Sequence, residues 1–226
     1  MNRRAFLTAS VSVAALGGAW YLTRQGQAEG LLPGPAMADG SAAATAPVAD
    51  PSLVPDMTLG NPDAKVTVIE YGSFTCPHCA EFHADQWPKI DANYVQTGKI
   101  KFIYRELVRN RPDIWASMLA RCDGGLRYFG ISDLLFKRQQ DWAAGGDMAS
   151  IASGLRQMGK VAGFDDATLE KCLGDATMAQ SILSVSQTNA DRDGIQGTPT
   201  FLINGVKYTN MSYEDFAKIL DAQLAG

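Results

Sequence analysis

The residues best placed to do chemistry are two sulfurs three positions apart, Cys76 and Cys79, in the run Phe74-Thr75-Cys76-Pro77-His78-Cys79. Pro77 suits the first position of a helix, so Cys76 falls at a helix N-terminus. Unpaired backbone N–H groups and the positive end of the helix dipole meet there and favour a thiolate over a thiol. Only the thiolate is the nucleophile, and an unperturbed thiol of pKa about 8.5 is little ionised at neutral pH. Stabilising the reduced, anionic form makes the corresponding disulfide a stronger oxidant, and a low-pKa sulfur also leaves a mixed disulfide readily. His78, between the two sulfurs, adds a proton donor or positive charge to the same site. The spacing points to thiol–disulfide exchange, with the pair pushed towards oxidising its partners.

The same spacing also serves metals. C-x-x-C is half of many zinc sites, and His83, four residues beyond Cys79, is a candidate third ligand on the helix. Structural zinc takes a closed shell of four, yet the other histidine is His78 within the motif and the remaining cysteines lie beyond residue 120. A metal chaperone or binding module using the pair as soft ligands stays open as the rival reading. His83 otherwise reads as a surface or packed helix residue. A structural bridge between Cys76 and Cys79 gains little from closing so short a loop. Cys122 and Cys172 differ, because each lies on an apolar helical stripe, beside Met118 and Leu119 and beside Leu169 and Leu173, and the two are expected to be buried together. In an oxidising compartment a bridge between them, closing a loop of about 50 residues, contributes on the order of 4 kcal/mol in the chain-entropy model. Two free buried thiols are the alternative. No cofactor is expected.

The elements that position the motif are legible around it. Lys65 to Tyr71 is rich in β-branched residues after the turn Gly60-Asn61-Pro62-Asp63 and reads as a buried strand. The helix opened by Pro77 continues through Phe82, Trp87, Ile90 and Tyr94, with Pro88 expected to kink or divide it. A second strand, Ile100 to Tyr104, follows the turn at Gly98 and completes a βαβ unit. From Arg111 to about Asn189 the apolar period is helical, as in Trp115, Met118, Leu119, Cys122 and again Met148, Ile151, Ala152, Leu155, and four or five helices are expected. Strand character returns at Thr200–Ile203, Asn204-Gly205 signals a hairpin into Val206–Tyr208, and Ser212 caps a last helix facing inward with Tyr213, Phe216, Leu220 and Leu224. The order is that of an α/β thioredoxin fold interrupted by an all-helical insertion domain. The expected boundaries are 58–110 and 190–226 for the thioredoxin-like part and 111–189 for the insertion.

The N-terminus carries an address. Arg3-Arg4 precede an uncharged apolar run from Ala5 to Leu22, the pattern of an export signal in 1–24. Its length suits either a cleaved signal peptide or a retained membrane anchor. Arg3-Arg4-Ala5-Phe6-Leu7 resembles a twin-arginine signal as well as an ordinary basic start. Residues 25–57 are rich in Ala, Pro and Gly and read as a linker without a core of its own. A net charge of −4 and a pI near 5.2 offer no basic excess for phosphates, so no nucleic acid partner is expected.

Val66–Tyr71 followed by Cys76-Pro77-His78-Cys79, with Gly197-Thr198-Pro199-Thr200-Phe201 far downstream, resembles the DsbA family of bacterial thiol–disulfide oxidoreductases. The likeness runs from about residue 58 to the C-terminus, and the second cysteine pair resembles the DsbA proteins of alphaproteobacteria. The resemblance implies that Cys76 is the exposed nucleophile and Cys79 the resolving thiol, that Pro199 is a cis-proline facing the sulfurs with Thr198 before it, and that an extended substrate segment pairs there. It also implies that Glu70, on the strand beneath, exchanges protons with Cys79; an edge-facing exposed glutamate is the alternative. Where the family often has a lysine beside that acid, this chain offers Tyr104 and Arg105, so the charge partner of Glu70 departs from the pattern. The function so implied is a periplasmic oxidase, soluble or tethered to the inner membrane. It would donate its disulfide to reduced exported proteins and be reoxidised by a DsbB-like membrane partner; a monomer is expected because the linker has too few structured residues to be the dimerisation domain of a DsbC-type isomerase. A reductase or isomerase using the same pair is the alternative within this chemistry.

Overall fold

The computed structural model describes residues 47–226; the expected signal or anchor, 1–24, and the first part of the linker lie outside the described residues. The folded part starts with β1 (Met57–Gly60) and β2 (Val66–Gly72), the latter being the β-branched run. Helix α1 (Pro77–Asp85) follows the cysteine turn, and with Pro88 in its first turn α2 (Trp87–Ile90) starts anew after Gln86, so the expected division falls there. A single wide turn, Asp91–Val95, and Gly98 at φ +70° lead into β3 (Ile100–Glu106). After the helices come β4 (Thr200–Ile203), the Asn204-Gly205 turn with φ +47° and +82°, β5 (Val206–Thr209) and α9 (Tyr213–Ala225), whose first turn is capped by Ser212.

The five strands stand in the order β1-β3-β2-β4-β5, with β2 parallel to β3 and the other pairs antiparallel. Strand alternation gives the two faces different work. Val66, Val68, Phe102, Phe201 and Ile203 enter the main core with Phe82 of α1 and Phe216 and Leu220 of α9. Tyr71 and Leu202 point the other way, into a smaller cluster with Ala190 and Ile195.

Between β3 and β4 lie six helices: α3 (Arg111–Ala120), α4 (Tyr128–Lys137), α5 (Gln139–Ala143), α6 (Met148–Val161), α7 (Asp166–Leu173) and α8 (Ala176–Asp193). The stripes named above correspond to α3, α6 and α7. The five-residue α5 is too short to show a period, and α4 stops one residue before it. Asn110, Asp147, Asp165 and Asp175 cap α3, α6, α7 and α8, each accepting a backbone N–H. Cys122 and Cys172 form a disulfide with Cα atoms 5.4 Å apart, joining the end of α3 to α7. Both residues are half-buried rather than buried.

Strand β1, four residues long with alternate residues exposed, is not among the elements expected from the sequence, and two expectations need correction. Residues 50–57 are not free linker: the Asp50 N–H donates to Ser181 Oγ at 2.8 Å, Val54 packs against Met118 and Ile182, and Arg121 donates to Pro55 O. Helix α8 runs four residues past Asn189, to Asp193, and Gly194 ends it at φ +61°.

Candidate active site

The site is built where β2 runs out. Ser73–Thr75 turn the chain, the Cys76 N–H donates to Ser73 O at 3.1 Å, and Cys76 then stands as the N-cap of α1 with Pro77 in the first turn. This puts Cys76 Sγ against the first N–H groups of the helix. The Cys76 thiol is lowered to about 5, first because the Cys79 thiol hydrogen-bonds to it and then through Thr198 and the backbone N–H groups of Cys79 and His78, with burial working against them. The same interactions act oppositely on Cys79: the bond to Cys76, its burial and the charge of Glu70 push its thiol far above the ordinary range. One sulfur is made an anion and the other is kept a thiol.

From the far side of the fold comes the loop Gly197–Thr200, in which the Thr198–Pro199 peptide is cis. Cys76 Sγ lies 3.5 Å from Thr198 O, while Thr198 Oγ1 is buried without a hydrogen-bond partner. An open groove of about 790 Å³ runs beside this loop, lined by His78, Thr198, Pro199 and residues 207–210 along β5. Its outer wall is an edge strand with exposed side chains. His78 is exposed and its ring Nδ1 is 2.9 Å from Glu81, which together with the Cys76 charge raises its pKa. The nucleophile is not exposed in the sense expected: Cys76 keeps 2% of its surface, because helix start, Cys79 and the Thr198 loop close around it.

Beneath the pair, Glu70 is fully buried on the α1 face of the sheet, which excludes the edge-facing alternative. Its partner is neither Tyr104 nor Arg105. His83 Nε2 lies 3.0 and 3.1 Å from the two Glu70 oxygens, and its ring stacks on Phe136 at 4.1 Å. Tyr104 faces the same side, opposite Glu70 in register, with its hydroxyl buried and without a partner. Arg105, one residue on, points through the other face of the sheet to Asp56 and Asp193. Helix spacing explains the substitution: His83 is four residues after Cys79, so both meet the sheet on the same side of α1. The sequence offers His83 as a metal ligand or as a surface or packed helix residue, and nothing in it pairs His83 with Glu70.

Two further residues, with no signal in the sequence, hold the turn before Cys76. Asp113, in the first turn of α3 and 1% exposed, accepts the Thr75 N–H at 2.9 Å, the Ser73 hydroxyl at 2.9 Å and the Arg109 N–H at 3.0 Å. Burial pushes its carboxyl up against these bonds. Gln139, which opens α5, is 4% exposed and donates to Phe74 O at 2.8 Å and Cys76 O at 3.0 Å.

The family model described as thioredoxin matches residues 52–222. A Rickettsia bellii protein whose name places it among the protein-disulfide oxidoreductases is 33% identical over 74% of this chain, and the chain spans 63% of that protein's length. The disulfide bond formation protein D of Bacillus subtilis is 26% identical, over 78% of this chain and 80% of that one. The crystal structure of Wolbachia pipientis alpha-DsbA1 superposes with a TM-score of 0.68 at 25% identity, covering 75% of this chain and 91% of that one.

Proposed function

We propose that this chain, which belongs to the thioredoxin family and within it to the DsbA-type thiol–disulfide oxidoreductases, donates a Cys76–Cys79 disulfide to reduced proteins exported to the periplasm. The observation that carries the reading is the opposed state of the two sulfurs: Cys76 is lowered to about 5 while Cys79 is raised, beside a groove open to an extended chain. A reduced form stabilised in this way gives up electrons reluctantly, so its disulfide is a strong acceptor.

In the reaction a substrate thiolate lying in the groove attacks Cys76 Sγ of the disulfide. The Cys76–Cys79 bond breaks, its electron pair goes to Cys79 Sγ, and that sulfur takes up a proton. Glu70, held by His83, is the acid–base group on that side. A second substrate thiolate then attacks the substrate sulfur of the mixed disulfide and expels Cys76 as a thiolate, which Thr198 and the first N–H groups of α1 receive. The substrate loses two electrons and gains a disulfide; the pair is left reduced and is returned to the disulfide by a membrane partner of the DsbB kind. Thr198 and Pro199 align the substrate, and His78 and Pro77 shape the helix start. The periplasmic address rests on the basic and apolar N-terminus, cleaved or kept as an anchor, and the protein acts as a monomer. Among the described residues no helix is long and apolar enough to cross a membrane.

The test is to mix the oxidised protein with a reduced, unfolded test protein bearing one cysteine pair. Stoichiometric disulfide transfer is expected and is abolished by Cys76→Ser; Cys79→Ser, whose Cys76 thiolate attacks the disulfide of the oxidised test protein and expels one substrate thiolate, should be trapped with it as a mixed disulfide. No transfer, with the pair recovered mostly reduced from cells, would instead mark a reductase.

A further inference from the structure

The helical insertion reaches into the site at two points, and both meet the chain just ahead of the nucleophile. Asp113 of α3 gathers the Ser73 hydroxyl and the Thr75 N–H, and Asn110, the cap of the same helix, donates its amide to Thr75 Oγ1 at 2.9 Å. Gln139 of α5 donates to the carbonyls of Phe74 and Cys76. Between Gly72, where β2 ends, and Pro77, where α1 starts, every residue is therefore touched by a side chain of the insertion. The bonds of Gln139 to both carbonyls and of the Ser73 hydroxyl to Asp113 are buried, so breaking one strands a polar group rather than exchanging it for water, whereas the Asn110–Thr75 bond is exposed. The ring of Phe74 adds to this hold by packing on Phe136 of α4 at 5.1 Å.

We propose that Gln139 and Asp113 are positioning residues through which the insertion holds Cys76 Sγ against the N-terminus of α1, so that the insertion tunes the reactive sulfur as well as covering it. The geometry gives the reason. The Sγ atom is served by N–H groups that point along the helix axis, and their effect falls off within the first turn. The Cys76 carbonyl already accepts the Ala80 N–H at 3.2 Å, as the first bond of the helix. Gln139 adds a second donor to that oxygen from outside the helix and a first to Phe74 O, fixing the carbonyls on both sides of Thr75. Asp113 holds the N–H of the residue between them from its own side. With backbone groups of successive residues held from two helices, the chain has little freedom to swing Sγ off the axis. This inference rests on the oxidase reading, since it concerns the stability of the same thiolate.

Gln139 is the better probe because it carries no charge: its loss removes no Coulombic neighbour, and a change at Cys76 reports displacement. The titratable groups facing Cys76 are Cys79 and His78 on its own helix, with Asp113 behind the loop. In Gln139→Met, of similar volume and without donors, the titration midpoint of the Cys76 thiolate, followed by absorbance near 240 nm, should rise by about one pH unit. Leu155→Ala empties part of the insertion core without touching the loop. It should lose comparable stability with the midpoint unmoved. If Gln139→Met does not fold, Ser73→Ala, which deletes one donor to Asp113 and leaves two backbone donors, should raise the midpoint by a smaller amount. A midpoint equal to that of the parent chain in folded Gln139→Met, or in Ser73→Ala, would overturn the proposal. The parent chain's own midpoint reports on the oxidase reading, and the displacement from it reports on this one.

Discussion

Cys76 and Cys79 are identical in chemistry and opposite in behaviour, and the difference comes from a few neighbours. Cys76 has donors around it, while Cys79 has burial and the Glu70 carboxylate, so one proton is held between two sulfurs and sits on Cys79. Because Cys76 is lowered to about 5, reduction of the disulfide consumes one proton above that pH and two below it. The equilibrium potential should therefore fall with pH by about 59 mV per unit below pH ~5 and by about 30 mV per unit above it, a break readable in glutathione buffers. The same group gives a stability prediction. A folded pKa below the unfolded value stabilises the reduced form fully above about 8.5, and that contribution is lost as the pH falls through about 5. Thermal unfolding of the reduced and oxidised forms should accordingly converge as the pH is lowered from about 8 to about 5. A third expectation concerns the acid beneath. His83→Phe leaves Glu70 buried without its partner and should cost about 3 kcal/mol, whereas adding Glu70→Gln should restore much of that in a double-mutant cycle of denaturation midpoints.

The elements were readable to different depths, and the reasons are physical. Pro77 and Pro88 announce where α1 begins and where it divides, because a ring nitrogen without a hydrogen is tolerated only in a first turn. Asn204-Gly205 marks its turn by the positive φ both residues adopt. The pairing of Glu70 with His83 was not legible: it depends on a helix and a strand lying face to face, a contact that neither period reveals. Gln139 and Asp113 were silent for the same reason, since a buried amide or carboxylate in a first helical turn looks like any polar residue there. Strand β1 hid in four residues, yet its last residue is under tight constraint. Gly60 has φ +82°, and a Cβ there would come 2.3 Å from Ile100 O. Gly60→Ala should destabilise the chain by about 2 kcal/mol or more in denaturation, with the Cys76 titration unchanged because the strain lies at the far edge of the sheet.

At the scale of the whole molecule, the insertion and the sheet are joined on both sides of β3. Arg121 of the insertion pairs with Glu106 in a buried bridge to which Tyr128 also donates. Arg105 gathers Asp56 before β1, Asp193 at the end of α8 and the Tyr71 hydroxyl on the opposite face. Within the insertion, Cys122–Cys172 ties α3, which supplies Asp113, to α7. Its removal by Cys122→Ser with Cys172→Ser should cost on the order of 4 kcal/mol, from the loop of 50 residues it closes, measured as a lowered denaturation midpoint of the oxidised protein. All these contacts converge on one requirement, that a single sulfur be held as an anion at the start of α1. The most direct measurement is the absorbance titration of reduced Cys76 near 240 nm, with Cys76→Ser as the blank. A single transition centred at about 5 is predicted, and a transition centred near 8.5, where an ordinary thiol ionises, would contradict the account.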